Sequence, residues 1–268
     1  MEAASHLFFP ILIGTFFQQL YNTVDTIVVG QYVGTNALAA VGTTGTLINL
    51  LVGFFVGVSS GATVIISQFF GAGDGKNVSK AVHTSIALAL AGGLIIMVLG
   101  LLTARPSLVL LGVPEEILGD ALTYMNVYYC GIIASMIYNV GTGVLRAIGD
   151  SRMPLYVLIV CCLVNIVLDL LFVLGFHWGV FGVAIATVLS QVVSAVLIMA
   201  RLMLTRESYR VELKRIRFDK SILKNVDPHR PARGDAVGAV LGVQPGGAGQ
   251  HQLFWHRRHR LLGSHRQN

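Results

Sequence analysis

The sequence predicts an all-α membrane protein, a polytopic helix bundle with six transmembrane helices. Of its 268 residues 54% are hydrophobic and only 12% are charged, and the mean hydropathy is +0.71. A typical soluble domain carries about twice that share of charged residues. Backbone polar groups in lipid are satisfied only in helices or closed barrels, and the apolar runs lack the alternation of barrel strands. We therefore expect helices.

The predicted spans follow one another closely, and each has roughly the ~20 residues that cross a bilayer. They cover 8–31, 46–69, 82–103, 121–144, 154–175 and 180–202. The first span is too long and too polar to be a removable signal peptide. In the second span, Gly53, Gly57 and Gly61 recur at four-residue spacing and predict a close helix contact. The three cysteines lie within spans, where we interpret them as packing residues.

Charges alternate between the two sides of the predicted bundle. The second and fourth connections and the segment after the sixth span are basic, with Lys76, Lys80, Arg146, Arg152 and the cations of 201–224. On the other side Arg105 lies near acidic residues. The positive-inside rule predicts a multi-pass protein of the cell membrane with its N-terminus and residues 203–226 in the cytoplasm. We attribute the net charge of +6 to contact with membrane lipid and predict no nucleic-acid partner.

The chain is expected to have three parts: a six-helix unit at 1–202, a basic connector at 203–226 and a tail at 227–268. From Asp227 onward there is no Lys, Ile, Met, Tyr, Thr, Glu or Cys, whereas Arg, Gly and His are frequent. We interpret the tail as non-native or disordered, because a one-base shift of the reading frame allows an apolar helix of membrane length there. The alternative is a natural disordered basic tail. His256 and His259 lie in this tail, and we predict no metal site.

Two carboxylates, Asp25 and Asp169, lie alone within apolar spans, where a charge is costly and usually functional. Each has polar neighbours at helical spacing, namely Gln18, Tyr21 and Asn22 before Asp25, and Asn165 before Asp169. A carboxyl group in this setting can bind and release a proton, or hold Na⁺ with help from Asn and Thr oxygens. It can also be purely structural, bonded across helices.

Several segments resemble the multidrug and toxic compound extrusion (MATE) family of secondary antiporters. They are QQLYNTVDTIVVGQYVG, SSGATVIISQFFGAGD, LRAIGDSRMP, and NIVLD with GVFGVAIAT. The resemblance runs from about Phe8 to about Lys224 and implies the N-terminal lobe of a two-lobe, twelve-helix transporter. The second lobe is then missing, and this chain is an incomplete copy.

The resemblance also implies a site and a function. Its cation or proton site consists of Asp25, Asn165, Asp169 and Thr187, with Tyr21 as a partner, and Gln18 and Asn22 are assigned to the substrate cavity. The implied protein is not an enzyme and needs no cofactor beyond its coupling ion, H⁺ or Na⁺. It exports amphipathic, often cationic, drugs or toxic compounds in exchange for that ion.

Other functions of a polytopic membrane protein predict features that differ from those of an antiporter. A lipid-linked oligosaccharide flippase of the same superfamily would line its cavity with basic residues, but the first five spans contain no Lys or Arg. A membrane-embedded enzyme would show a catalytic constellation, and a non-transporting membrane subunit would carry a large soluble interaction domain. The sequence indicates neither. The drug antiporter is therefore favoured.

Overall fold

The computed structural model describes residues 13–14, 16–17, 19–21, 23–219 and 222, without the side chains of 51, 54–56 and 58–59. They belong to the first of two units of the chain, Met1–Val226. In this part six long helices follow one another. They are α1 (between 13 and 28, ending in a π-helical turn at Val29–Val33), α2 (Thr35–Gly71), α3 (Gly75–Leu110), α4 (Glu115–Ala147), α5 (Arg152–Leu170, with a π-helical turn at Leu171–Gly175) and α6 (Gly179–Leu204). The predicted all-α class is confirmed, whereas the tail at 227–268 lies outside the described residues.

Four of the helices, α2, α3, α4 and α6, are longer than the predicted spans. Among the described residues, α3, α4, α6 and α5 with its π-helical turn are each long and apolar enough to cross a membrane. α3 has 36 residues, which at 1.5 Å per residue exceeds the ~30 Å hydrocarbon core of a bilayer. α2 begins at Thr35, well before the predicted residue 46. Hydropathy marks only the apolar middle of such a helix, so the predicted spans do not include the more polar ends of the helices.

Three connections share one local structure, a helix stop at a glycine. Gly73, Gly112 and Gly149 have φ angles of 72°, 69° and 89° after α2, α3 and α4. In each case the N–H of the glycine and that of the next residue bond back to carbonyls of the last helical turn, which is a Schellman motif. A side chain is strained at these φ angles, so glycine is required.

The residue after two of these glycines is an aspartate whose side chain caps the start of the next helix. Oδ1 of Asp74 accepts the N–H of Asn77 at 3.1 Å, and Oδ1 of Asp150 accepts the N–H of Met153 at 3.1 Å. Each carboxylate satisfies one of the N–H groups that a helix start leaves without a partner. The dipeptide Gly-Asp thus ends one helix and begins the next.

α4 is the central helix and packs against α2, α3 and α6. One close contact of α4 with α6 depends on Gly141, where an added Cβ would lie 2.2 Å from Cγ2 of Ile198. Between α4 and α3, an added Cβ at Gly100 of α3 would lie 2.6 Å from the ring of Tyr129, which is fully buried. Because glycine has no side chain, Gly141 and Gly100 allow α4 to pack closely against α6 and α3.

The close contact predicted on α2 is not found at two of its three positions. An added Cβ at Gly53 or Gly57 would meet no described atom within 4 Å, because both glycines lie at exposed positions of α2. Four-residue spacing shows that small residues share a helix face but not which face meets a neighbour. The cysteines Cys130, Cys161 and Cys162 are free, as their interpretation as packing residues requires.

Candidate cation site

The fold brings the two membrane carboxylates together at one side chain, Asn165. With its NH2 group turned toward them, the Asn165 nitrogen lies 2.9 Å from Oδ1 of Asp25 and 3.2 Å from Oδ2 of Asp169. The opposite orientation would place the amide oxygen against carboxylate oxygens, so the hydrogen-bond network fixes the assignment. One amide from α5 therefore bridges a carboxyl group of α1 and a carboxyl group of α5.

The site is deeply buried on its α5 side. Asn165 and Asp169 are 0% exposed, whereas Asp25 is half-buried. The two carboxyl groups lie within hydrogen-bonding reach of each other. Oδ1 of Asp169 accepts no hydrogen bond from a donor among the described residues. Two negative charges are costly at this separation in an apolar setting. A proton on one carboxyl group removes that repulsion and supplies the missing donor.

Tyr21 and Thr187 extend the site to α6. The Tyr21 side chain lies beside Asp25 and Thr187. The Thr187 hydroxyl donates to the Val183 carbonyl at 3.0 Å, so toward a tyrosine hydroxyl it acts as acceptor. These contacts link α1 to α6 through side-chain oxygens, which are the ligands that hard cations prefer. The described part contains no group of three or more His, Cys, Asp or Glu side chains suited to a metal ion.

The five residues of the predicted cation site are thus adjacent in the structure: Asp25, Asn165, Asp169, Thr187 and Tyr21. Gln18 and Asn22, assigned to the substrate cavity, lie outside the described residues.

Sequence reasoning missed the part of the site that α4 contributes. Tyr124 is 8% exposed, and its side chain lies beside Thr187. One turn later, the Tyr128 hydroxyl accepts a hydrogen bond of 3.3 Å from Nε2 of Gln191 on α6. The two tyrosine rings stack with centroids 6.3 Å apart. The available signal was the pairing of polar residues one turn apart on each helix, Tyr124 with Tyr128 and Thr187 with Gln191.

Residues 10–171 of the chain match the MatE family, a region that includes both carboxylates and Asn165. The chain belongs to the MatE family. Members of this family are transporters and not enzymes, and the structure provides the apolar helices that a multi-pass membrane transporter requires. The resemblance inferred from the sequence motifs is confirmed.

The relatives of this MatE chain are longer than it is. It is 29% identical to the probable multidrug resistance protein YoeA of Bacillus subtilis over 217 residues. The matched region covers 80% of this chain and 45% of YoeA. The probable multidrug resistance protein NorM of Thermotoga maritima is 31% identical over 182 residues, 66% of this chain and 39% of NorM. A solved multidrug resistance MATE family transporter of the MOP superfamily, in an outward-facing conformation, matches with a TM-score of 0.76 and 30% identity. That match covers 82% of this chain and 49% of the solved chain. The chain therefore spans about half the length of these relatives, as one lobe does.

Proposed function

We propose that this MatE chain is the cation-coupling lobe of a secondary antiporter that exports amphipathic, often cationic, compounds. The observation that carries the proposal is the Asp25–Asp169 pair, two carboxyl groups from different helices held by one amide within an apolar bundle. YoeA and NorM, which are named as probable multidrug resistance proteins, support the substrate class.

Coupling in this proposal depends on the charge of the pair. With one proton bound, Asp25 and Asp169 share a hydrogen bond, and α1 packs against α5. When the proton leaves, the two carboxylates repel each other, and α1 shifts relative to α5. Compound and cation are coupled because each binds better to a different one of these two states. Tyr21 and Thr187 transmit the shift to α6.

The proton is the coupling ion that we propose, because carboxyl groups within hydrogen-bonding reach of each other already have the separation that a shared proton requires. Sodium is the alternative. Infrared difference spectroscopy on the purified chain in lipid vesicles distinguishes the two through the C=O band of a protonated carboxyl group. We expect this band to titrate and to disappear in Asp25→Asn and in Asp169→Asn.

The control for this measurement is Asp120→Asn, because Asp120 is exposed at the start of α4 and should leave the band unchanged. Loss of the band on adding Na⁺ at constant pH would indicate sodium coupling. No titrating band in the unsubstituted chain would rule out a protonated pair.

Efflux is tested in a chimera that joins residues 1–219 to the half of YoeA that this chain does not match. Once the unsubstituted chimera is shown to expel a cationic dye in response to an imposed proton gradient, Asp25→Asn and Asp169→Asn should each abolish gradient-driven efflux. Asp120→Asn should retain it. Unchanged efflux in both site variants, at equal expression, would exclude the pair as the coupling site.

A further inference from the structure

The connector after α6 folds back onto the first turns of α3. The backbone N–H of Glu212 donates to Nε2 of His83 at 3.0 Å, and Nδ1 of His83 lies 2.7 Å from the carbonyl oxygen of Ser79. Because Nε2 accepts, Nδ1 carries the proton and donates to Ser79. Tyr209 and Val211 are buried beside this contact, with 7% and 1% of their surface exposed. The connector is therefore packed against the bundle.

A second set of contacts fixes the connector one residue further along α3. The Thr84 hydroxyl donates to the Arg217 carbonyl at 3.4 Å and accepts the backbone N–H of Asp219 at 3.2 Å. Nζ of Lys80 lies 3.5 Å from Oδ2 of Asp219. Backbone groups make most of these contacts, so the cationic side chains of the connector remain available for a ligand.

The fold-back creates an open cleft of about 470 Å³ between α3 and the connector. Five cations and one carboxylate line it, together with three uncharged polar or imidazole side chains. The charged residues are Lys76 and Lys80 from α3 and Lys214, Arg215, Arg217 and Asp219 from the connector. We call this the basic cleft.

The positive charge of the basic cleft is only partly balanced. Asp219 pairs with Lys80, and Glu212 pairs with Arg215 at 3.0 Å on the exposed surface. Lys214 and Arg217 form no ion pair with any residue that the structure describes. Like charges held this close repel each other. The hydrogen bonds of His83 and Thr84 hold the cations together despite that repulsion, which an anionic ligand would relieve.

We propose that the basic cleft binds the phosphate-bearing headgroup of an anionic phospholipid. The flanking residues favour a lipid over a soluble phosphate compound. Leu213 and Phe218 lie on the same short segment as the cations and are 61% and 50% exposed. Apolar side chains beside cations are typical of surfaces that enter the membrane interface. The one aromatic ring among the described residues that line the cleft is the His83 imidazole, which is 3% exposed and hydrogen-bonded at both nitrogens, so it presents almost no face on which a nucleobase could stack.

The position of the cleft agrees with this ligand. It lies at the N-terminal end of α3, next to the apolar body of a helix that is long enough to span the bilayer. The charge distribution of the sequence assigns this end to the cytoplasmic side, where anionic lipid attracts Lys and Arg near the surface. The inference does not depend on transport, and its test has no transport readout.

The test measures phosphatidylglycerol bound to the purified 268-residue chain in a neutral detergent, by native mass spectrometry across a lipid titration. Lys214→Gln with Arg217→Gln should weaken binding about 30-fold, as expected for loss of two cations that contact the anion. The control is Arg206→Gln with Arg210→Gln, which removes the same charge from exposed positions of the same connector outside the cleft. The control should weaken binding less than about 3-fold.

Two further variants guard against a folding defect. Arg217→Lys keeps the charge and should retain binding to within about 3-fold, and Arg217→Gln alone should weaken it several-fold. Equal loss in the double variant and its control would show general surface attraction and overturn the proposal. Equal binding of zwitterionic phosphatidylcholine would also overturn it. Inorganic pyrophosphate that binds at micromolar concentration and displaces phosphatidylglycerol would assign the cleft to a soluble anion instead.

Discussion

At the residue scale, Asn165 has the most demanding position in the candidate site. Its two amide hydrogens serve two carboxyl groups on two helices, and its side chain is fully buried. A buried carboxyl group that loses its hydrogen-bond donor has given up its hydration without compensation. The free-energy cost of that loss is larger than the net contribution of a typical hydrogen bond to stability. Asn165 therefore stabilises the contact between α1 and α5 as well as the site.

Replacing Asn165 with Ala should lower the free energy of unfolding by about 1 to 3 kcal/mol, because both carboxyl groups lose a donor. Asn139→Ala is the control, since the Asn139 amide donates, among the described residues, only within its own helix, to the carbonyl and the hydroxyl of Ser135 at 2.8 and 3.4 Å. Unfolding of the detergent-solubilised chain, followed by circular dichroism, measures the difference. Equal losses in the two variants would show that the bridge contributes nothing beyond a half-buried amide that bonds within one helix.

The sequence was sufficient to select Asp25 and Asp169, because an isolated carboxylate in an apolar span is rare and costly. Asn165 followed from its spacing of one turn. Tyr124 and Gln191 could not be selected in the same way. Tyrosine and glutamine are tolerated at many positions of a membrane helix, and spacing within a helix does not show which neighbour that helix faces.

At the element scale, the contact between α4 and α6 depends on the absence of a side chain at Gly141. Gly141→Ala should destabilise the fold by about 1 to 3 kcal/mol, because the new Cβ would overlap Ile198 and force the two helices apart. Gly119→Ala on the same helix is the control. No described atom lies within 4 Å of an added Cβ there, so alanine should be neutral or stabilise by up to ~1 kcal/mol. Thermal unfolding of both variants tests this, and a stable Gly141→Ala would contradict the packing.

A second prediction at this scale concerns the start of α3. The backbone N–H of Asn77, and then its side-chain amide, hold the pKa of Asp74 below the ordinary value of an aspartate. A lowered pKa means that the cap stabilises α3 above the ordinary aspartate pKa and is lost as the pH falls through the lowered value. Asp74→Asn keeps a capping oxygen but cannot titrate. We expect it to weaken the acid dependence of the melting temperature, and an unchanged acid dependence would contradict this role.

The helix ends were partly predictable. Gly73-Asp74 and Gly149-Asp150 combine a residue suited to left-handed φ with a capping side chain, and both signals are local. The π-helical turns at Val29–Val33 and Leu171–Gly175 were not predicted. Their residues differ little in character from those of the adjoining helix, so nothing in composition marks the widened turn.

At the scale of the whole molecule, the connections at 72–74 and 148–151 lie at the same end of the bundle as the connector, and 111–114 lies at the other end. Alternation of basic and acidic ends predicts which end faces the cytoplasm. In a background in which the three free cysteines are replaced by serine, a cysteine at Lys76 should be shielded from an impermeant thiol reagent added outside intact cells. A cysteine at Glu115 should react. The reverse pattern would invert the orientation.

The contact between His83 and the Glu212 backbone has a consequence for the order of events during synthesis. The two residues are 129 positions apart in the chain, so the ribosome has made all six helices before this hydrogen bond can form. Until then the first turns of α3 lack a partner that they have in the finished protein. Contacts between distant residues also form late in folding, because closing a long loop is entropically costly. A nascent chain arrested before Glu212 should therefore expose His83 and Thr84, each 3% exposed in the folded chain, to proteases or chaperones that no longer reach them once the connector has emerged.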